Sequence, residues 1–230
     1  MPTTALNPSK PPLDWSQIET VLLDMDGTLL DLNFDNVFFL ETVPQAYAKQ
    51  TGQSFAEAKE SVLGIYKKVA GTLAWYDLDH WSRELKMDIP LLKEEVAHLI
   101  KVHPHVINFL KQLKNQKLPT HLVTNAHSRS IELKMARTPI GQFFDTIISS
   151  HDLGHAKEQS GFWTALNKKI PFNPNTTLLV DDSEPVLKAA KNYGIKHLRH
   201  ISTPSSQHDG KISEEFVSIA DFFDIMRDID

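Results

Sequence analysis

The stretch VLLDMDGTLLD, Val21 to Asp31, decides how the chain is read. Three aliphatic residues run into a carboxylate, a methionine, a second carboxylate and then Gly27 and Thr28. A short apolar run without polar alternation, ended by turn residues, is the pattern of a strand buried on both faces. Residues two apart on an extended chain point the same way. Asp24 and Asp26 therefore share one pocket if the extended geometry persists past the strand end.

Similar runs recur at 120–125 (THLVTN), 145–150 (DTIISS), 176–182 (TTLLVDD) and 195–200 (IKHLRH). Helical patterns separate them. In 104–116, Pro104 stands where a first helical residue belongs, and Val106, Phe109, Leu110 and Leu113 follow at i, i+3, i+4, i+7. The spacing also predicts helices over 128–137, 160–169 and 184–193, the last stopped by Gly194. Strands alternating with helices predict an α/β fold, a Rossmann-like parallel sheet with helices on both faces.

Residues 33–102 break the alternation. They carry helix signals and no convincing strand. Ser54 with Glu57 forms a capping box, and Val62, Ile65, Tyr66, Val69 and Leu73 make one apolar face behind it. Asp79 reads as the cap of a helix carrying Trp81 and Leu85, and Pro90 as the opening of one that runs through Val96 and Ile100. A crossover needs far fewer residues, so 33–102 is read as an inserted all-helical domain. Residues 16–32 plus 103–230 form one discontinuous core, 1–15 is a loose lead-in, and a last helix is expected from about Ser213.

The composition is that of a soluble globular protein. With a net charge of −5 and a pI near 6.1 there is no basic surface for nucleic acid. No run approaches the length of a membrane span. No cysteine is present, which excludes disulfides and thiolate metal sites. The start has no apolar signal-peptide stretch, and the cytoplasm is the simplest expected location.

In such a sheet, ligands bind beyond the carboxyl ends of the strands. The first strand brings Asp24 and Asp26 there, the second Thr124 and Asn125, and the fourth Asp181 and Asp182. Lys157 follows the third. Carboxylates gathered in one pocket repel one another by about 1 kcal/mol per pair at 4 Å in water, and by about 4 at an effective dielectric of 20. A divalent cation reverses that sign. An all-oxygen ligand set favours a hard ion such as Mg²⁺. Of the eleven histidines, His151 and His155 are not read as a metal site, because their segment is loop-like and lacks a further ligand.

DMDGT, then VTN, then a lysine, then VDDS, in that order, resembles the haloacid dehalogenase-like hydrolase superfamily, and the helical insertion resembles that family's helical cap. DMDGTLLDLNFDNVFF, TNAHS and VDDSE are most similar to the bacterial GMP/IMP 5′-nucleotidases within it. The chain departs from the family at HAKEQS, which lacks the proline that often precedes the family's lysine. The resemblance implies that Asp24 is a nucleophile forming an aspartyl-phosphate, and that Asp26 is a general acid and then base. It implies Mg²⁺ on Asp24, the Asp26 backbone carbonyl and Asp182, with Asp181 as alternate ligand or support. Thr124 and Lys157 would bind the transferring phosphoryl oxygens. An acid at position 26, where transport ATPases of the superfamily carry threonine, points to hydrolysis or mutase chemistry.

The expected activity is hydrolysis of a small phosphomonoester, a purine nucleoside monophosphate, by a monomer or weak homo-oligomer. A phosphosugar phosphatase or mutase is the enzymatic alternative. A phospho-accepting signalling module is the alternative of another class, although its acids come in a different chain order. A P-loop kinase is excluded for lack of its glycine-rich motif. Phe34, Asp35 and Asn125 are candidate substrate contacts. Trp75, Tyr76 and Trp81 are expected to pack the cap, with one of them free to stack on a base.

Overall fold

A computed structural model describes residues 13–226. Six parallel strands form one sheet in the order β3-β2-β1-β4-β5-β6. They are β1 (Thr20–Leu23), β2 (Thr120–Thr124), β3 (Thr146–Ser149), β4 (Thr177–Asp181), β5 (His197–Ile201) and β6 (Ser218–Ile219). The chain leaves β1 toward β2 and β3 and returns to β4 on the other side. That reversal is the topological switch point at which open α/β sheets bind ligands.

The run VLL explains why β1 is central. Val21 and Leu23 enter one apolar cluster, Leu22 enters the other, and all three are fully buried. Sheets covered on both faces need such unbroken apolar strands. Each buried Val or Leu contributes about 1.5–3 kcal/mol.

Between β1 and β2 the chain is helical: α1 (Asn33–Val37), a π-helical turn (Phe38–Thr42), α2 (Val43–Thr51), α3 (Phe55–Tyr66), α4 (Leu73–Tyr76), α5 (Leu78–Leu85), α6 (Ile89–Glu95) and a short 3₁₀ turn. This segment has its own apolar cluster, built around Phe38, Val62, Tyr66, Trp81 and Leu85. The capping box forms at Ser54 and Glu57. Asp77, not Asp79, caps α5, accepting from the N–H groups of Asp79 and His80. Asp88 caps α6, which has Pro90 in its first turn and ends at Glu95, short of Ile100.

The sheet is flanked by α7 (Val106–Asn115), α8 (Ser128–Arg137), α9 (Ser160–Lys169) and α10 (Glu184–Tyr193). Residues of α7 join the cluster of Val21, and those of α9 and α10 join that of Leu22. Gly194 terminates α10 at φ 114°, a left-handed conformation that favours glycine. Helix α7 starts at Val106 rather than Pro104, because His105 at φ 63° breaks the helical path.

No helix starts at Ser213. Its hydroxyl accepts from the N–H groups of Glu215 and Phe216, which closes a turn. Ser218 and Ile219 then pair with His200 and Ile201, and α11 (Phe223–Met226) follows. Leu13 and Trp15, read from sequence as lead-in, pack on the core, and Trp15 Nε1 donates to Ile225 O at 2.9 Å. Residues 1–12 of that lead-in lie outside the described residues. Among the described residues, no helix is long and apolar enough to cross a membrane.

Candidate active site

Strand register sets the site. Leu23 pairs with Leu122 on one side and Val180 on the other, so Asp24 leaves the sheet level with Val123 and Asp181. The strand itself ends at Leu23, and a turn carries Asp26 into the same cavity as Asp24. Met25 points the other way, fully buried in the core. The N–H groups of Leu29 and Leu30 donate to Met25 O at 3.0 and 2.8 Å, and Gly27 N–H donates to Leu30 O at 2.7 Å. Gly27 holds φ 83°, and a Cβ there would run into Asp182 Oδ2.

The cavity has a volume of about 230 Å³. Asp24, Asp26, Asp35, Thr124, Asn125, Lys157, Asp181 and Asp182 all line it. Phe34 does not; its ring is buried, 1% exposed, with the ammonium groups of Lys134 and Lys93 at 5.1 and 5.3 Å from its centre. Trp75, Tyr76 and Phe39 line the side contributed by the helical segment, whereas Trp81 is packed inside that segment. Phe39 and Trp75 stack with centroids 5.9 Å apart and planes 24° apart.

Lys157, 1% exposed, is the electrostatic centre. Its ammonium lies 2.5 Å from Asp24 Oδ1 and 2.7 Å from Asp181 Oδ2, and it donates to Val123 O at 3.0 Å. Asn125 Oδ1 accepts from the Lys157 N–H at 2.9 Å and fixes the backbone of that loop. The Asn125 amide donates to Glu158 at 3.1 Å, and the Tyr76 hydroxyl donates to the other Glu158 oxygen at 2.6 Å. Thr124 Oγ1 accepts from Ala126 N–H at 3.0 Å, which orients its hydroxyl at the end of β2.

One oxygen from each of Asp24, Asp181 and Asp182 lies within 4.8 Å of the others. Three carboxylates against one lysine leave negative charge for a hard cation, and oxygen donors are what Mg²⁺ takes. The residues fit that ion. Asp181 has both oxygens engaged, Oδ1 by Ser183 N–H at 2.9 Å and Oδ2 by Lys157, so Asp24 and Asp182 are the more available ligands.

Burial lifts Asp24 to about 6; Lys157 opposes the rise and Asp181 adds to it. Burial also lifts Asp26 to about 6, against the pull of Lys134. Burial, with the charges of Asp24 and Asp181, raises Asp182 well above the usual carboxylate range. Each shift reflects side chains packed so that their own negative charges are disfavoured.

A second network was not legible in the sequence. Lys134 on α8 reaches Asp26 Oδ1 at 2.6 Å and Asp35 Oδ2 at 2.7 Å, and Lys93 on α6 reaches Asp35 Oδ1 at 2.8 Å. Burial works to raise Asp35, but Lys134 and Lys93 prevail and hold it at about 2. The available signal was position: Lys134 falls between Ile131 and Met135, both packed against the core.

The model of the haloacid dehalogenase-like hydrolases matches residues 21–199. The GMP/IMP nucleotidase YrfG of Escherichia coli (strain K12) is 36% identical over 208 residues, 90% of this chain and 94% of its own. The pyrophosphatase PpaX of Oceanobacillus iheyensis is 28% identical over 178 residues, 72% of this chain and 75% of its own. A HAD phosphatase from Thermococcus onnurineus has the same fold, with a TM-score of 0.78 at 22% identity over 91% of this chain and 97% of that one.

Proposed function

The chain belongs to the haloacid dehalogenase-like hydrolase family, and from that premise we propose that it is a Mg²⁺-dependent phosphomonoester hydrolase acting on purine nucleoside 5′-monophosphates. The observation that carries this is the convergence of Asp24, Asp26, Thr124, Lys157, Asp181 and Asp182 on one cavity at the sheet's switch point. Residues 33–102 act as the cap that closes the cavity and excludes water.

A carboxylate oxygen of Asp24 attacks phosphorus, and the bond from phosphorus to the ester oxygen breaks. Asp26 gives its proton to that oxygen and the alcohol leaves. Asp26, now a carboxylate, takes a proton from water as the water oxygen attacks the aspartyl-phosphate; the bond to Asp24 breaks and phosphate is released. Two acids are required because one is consumed covalently while the other moves protons. Lys157 and the Thr124 hydroxyl hold phosphoryl oxygens as charge moves between them. Asp24, Asp182 and the Asp26 carbonyl would hold Mg²⁺, with Asp181 keeping Lys157 in place. The ion supplies neutralisation of phosphoryl charge when bound.

Two observations support the nucleotide reading. The relative from Escherichia coli is a GMP/IMP nucleotidase. The stacked Phe39 and Trp75 present an aromatic side on which a purine would lie. A phosphate-release screen over nucleoside monophosphates and hexose phosphates tests it, with chelator and Asp24→Asn controls. GMP or IMP is expected among the best substrates, and Asp24→Asn is expected to lose turnover by on the order of 10⁴-fold while its circular dichroism is unchanged. A preference for hexose phosphates removes the nucleotidase reading. An active Asp24→Asn removes the nucleophile.

A further inference from the structure

We propose that Lys134 is a positioning residue for the acid Asp26, held in place from the helical segment by Asp35, an inference that rests on the phosphomonoesterase reading above. Lys134 is 1% exposed, and its ammonium is shared between Asp26 Oδ1 at 2.6 Å and Asp35 Oδ2 at 2.7 Å. The free oxygen of Asp35 is taken by Lys93, 3% exposed, at 2.8 Å. Two lysines and two aspartates thus form a charge-balanced chain from Asp26 through α8 and α1 to α6, with both lysines buried and the Asp26 and Asp35 side chains 22% and 14% exposed.

Stability alone gives no reason for such a chain. Well-packed apolar side chains of similar volume do as well as a buried ion pair, or better. Geometry gives one. An ammonium has donors and no acceptor, so the oxygen that faces Lys134 can only accept. The transferable proton of Asp26 therefore sits on Oδ2, and the carboxyl group cannot rotate to exchange its oxygens without breaking the contact. Lys134 itself gives up no proton. It fixes which oxygen meets the ester, and after transfer it holds the resulting carboxylate ready for the attacking water.

The network also joins two parts of the chain. Asp26, in the turn directly after β1, and Lys134 belong to the core, while Asp35 on α1 and Lys93 on α6 belong to the inserted helical segment. Lys134 keeps its second partner only when α1 lies against α8. The acid is thus held in its working orientation when the helical segment is seated on the core.

The test is the dependence on leaving group. An alkyl phosphate such as GMP needs its leaving oxygen protonated, whereas 4-nitrophenyl phosphate expels a stable anion and does not. The value of kcat/KM covers the chain only as far as departure of the alcohol, so it isolates the step in which Asp26 is acid. Lys134→Met is expected to lower kcat/KM for the alkyl ester by about 100-fold, the scale of general acid catalysis, and for the aryl ester by less than about tenfold. Equal losses on both esters, or no loss on the alkyl ester, overturn the proposal. Should Lys134→Met fail to fold, Lys134→Met with Asp35→Asn removes one charge of each sign and is held to the same ratio. A wild-type protein that cleaves neither ester overturns the phosphomonoesterase reading as well. An active wild type with equal losses in the variant overturns Lys134 alone.

Discussion

Replacing Lys157 by methionine should turn the site from a tolerable concentration of charge into an unstable one, and Mg²⁺ should compensate. The ammonium lies 2.5 and 2.7 Å from two carboxylates whose side chains are 8% and 1% exposed. At an effective dielectric of 20, each contact is a gross attraction of about 6 kcal/mol, most of it offset by the cost of burying the ions. Without Lys157, the carboxylates of Asp24, Asp181 and Asp182 remain within 4.8 Å of one another. Each pair then repels by about 3 kcal/mol at the same dielectric, until one of them takes up a proton. The expected net loss is the ~3–5 kcal/mol typical of removing one partner from a buried ion pair. Urea unfolding of both proteins, with EDTA and with saturating Mg²⁺, measures it. In EDTA the variant should lose that amount. In Mg²⁺ it should regain more than the wild type gains, because the ion meets three negative charges uncompensated by the lysine; tenfold tighter binding corresponds to about 1.4 kcal/mol. A loss below about 1 kcal/mol in EDTA, or an equal Mg²⁺ gain in the two proteins, refutes the reasoning.

Asp182→Asn should do the opposite, because burial and the charges of Asp24 and Asp181 already disfavour its ionised form. Its unfolding free energy in EDTA is expected to rise by on the order of 1–3 kcal/mol, with phosphate release and the Mg²⁺ effect both lost. Gly27→Ala forces a side chain into φ 83° and against Asp182, so it should cost about 1–3 kcal/mol and lower kcat; unchanged stability and turnover would contradict the turn geometry. In EDTA, the contribution of Asp24 and Asp26 to stability should fall as the pH rises toward and through about 6, since both folded carboxyls titrate near 6, above the ordinary 3.8. Each contributes at most about 3 kcal/mol, present below pH ~4 and lost above ~6. Asp35, held at about 2, acts in the opposite sense only below pH ~4, while His103, His121, His151, His197 and His200, held low by burial, add stability as the pH rises; the carboxyl effect is therefore read as the difference between wild type and Asp26→Asn, and a difference that moves in favour of the wild type from pH 5 to 7 would count against these shifts.

The sheet could be read from sequence because its strands are unbroken apolar runs closed by turn residues, and β1, β2 and β4 each end within a residue or two of the expected point. Helix starts were less legible, because several residues compete to cap one end. Asp77 and Asp79 stand two apart, and only the backbone decides which accepts from the first free N–H groups. Ser213 looks like a cap but closes a turn before β6. Asp24, Asp26, Thr124, Lys157, Asp181 and Asp182 were found as candidates through their order along the chain. Lys134 and Lys93 belong to no motif. Each is a single charged residue on a helix, which normally signifies a solvated face, and the partner that reveals Lys134 lies 108 residues away at Asp26. Tyr76 was expected to pack the cap or stack on a base, but its bond to Glu158, 82 residues away, was not legible because nothing near either residue points to the other.

Charge counting explains how one cavity can house two kinds of carboxylate. Around Lys157, the carboxylates of Asp24, Asp181 and Asp182 exceed the cations by two, the charge of one divalent ion. Around Lys134, the carboxylates of Asp26 and Asp35 are matched by Lys134 and Lys93 with no excess. A cation is therefore drawn to the first group and gains little at the second. In the proposed mechanism this leaves the side chain of Asp26 free to carry a proton, and its neighbour Asp24, two residues earlier, to bind metal and attack phosphorus. Had Lys134 been absent, the Asp26 carboxylate would have been a fourth unbalanced acid and a competing ligand for the same ion. The proposed separation of roles between Asp24 and Asp26 thus follows from which lysine each one faces, and the Asp-x-Asp spacing only brings the two acids to the place where those lysines wait.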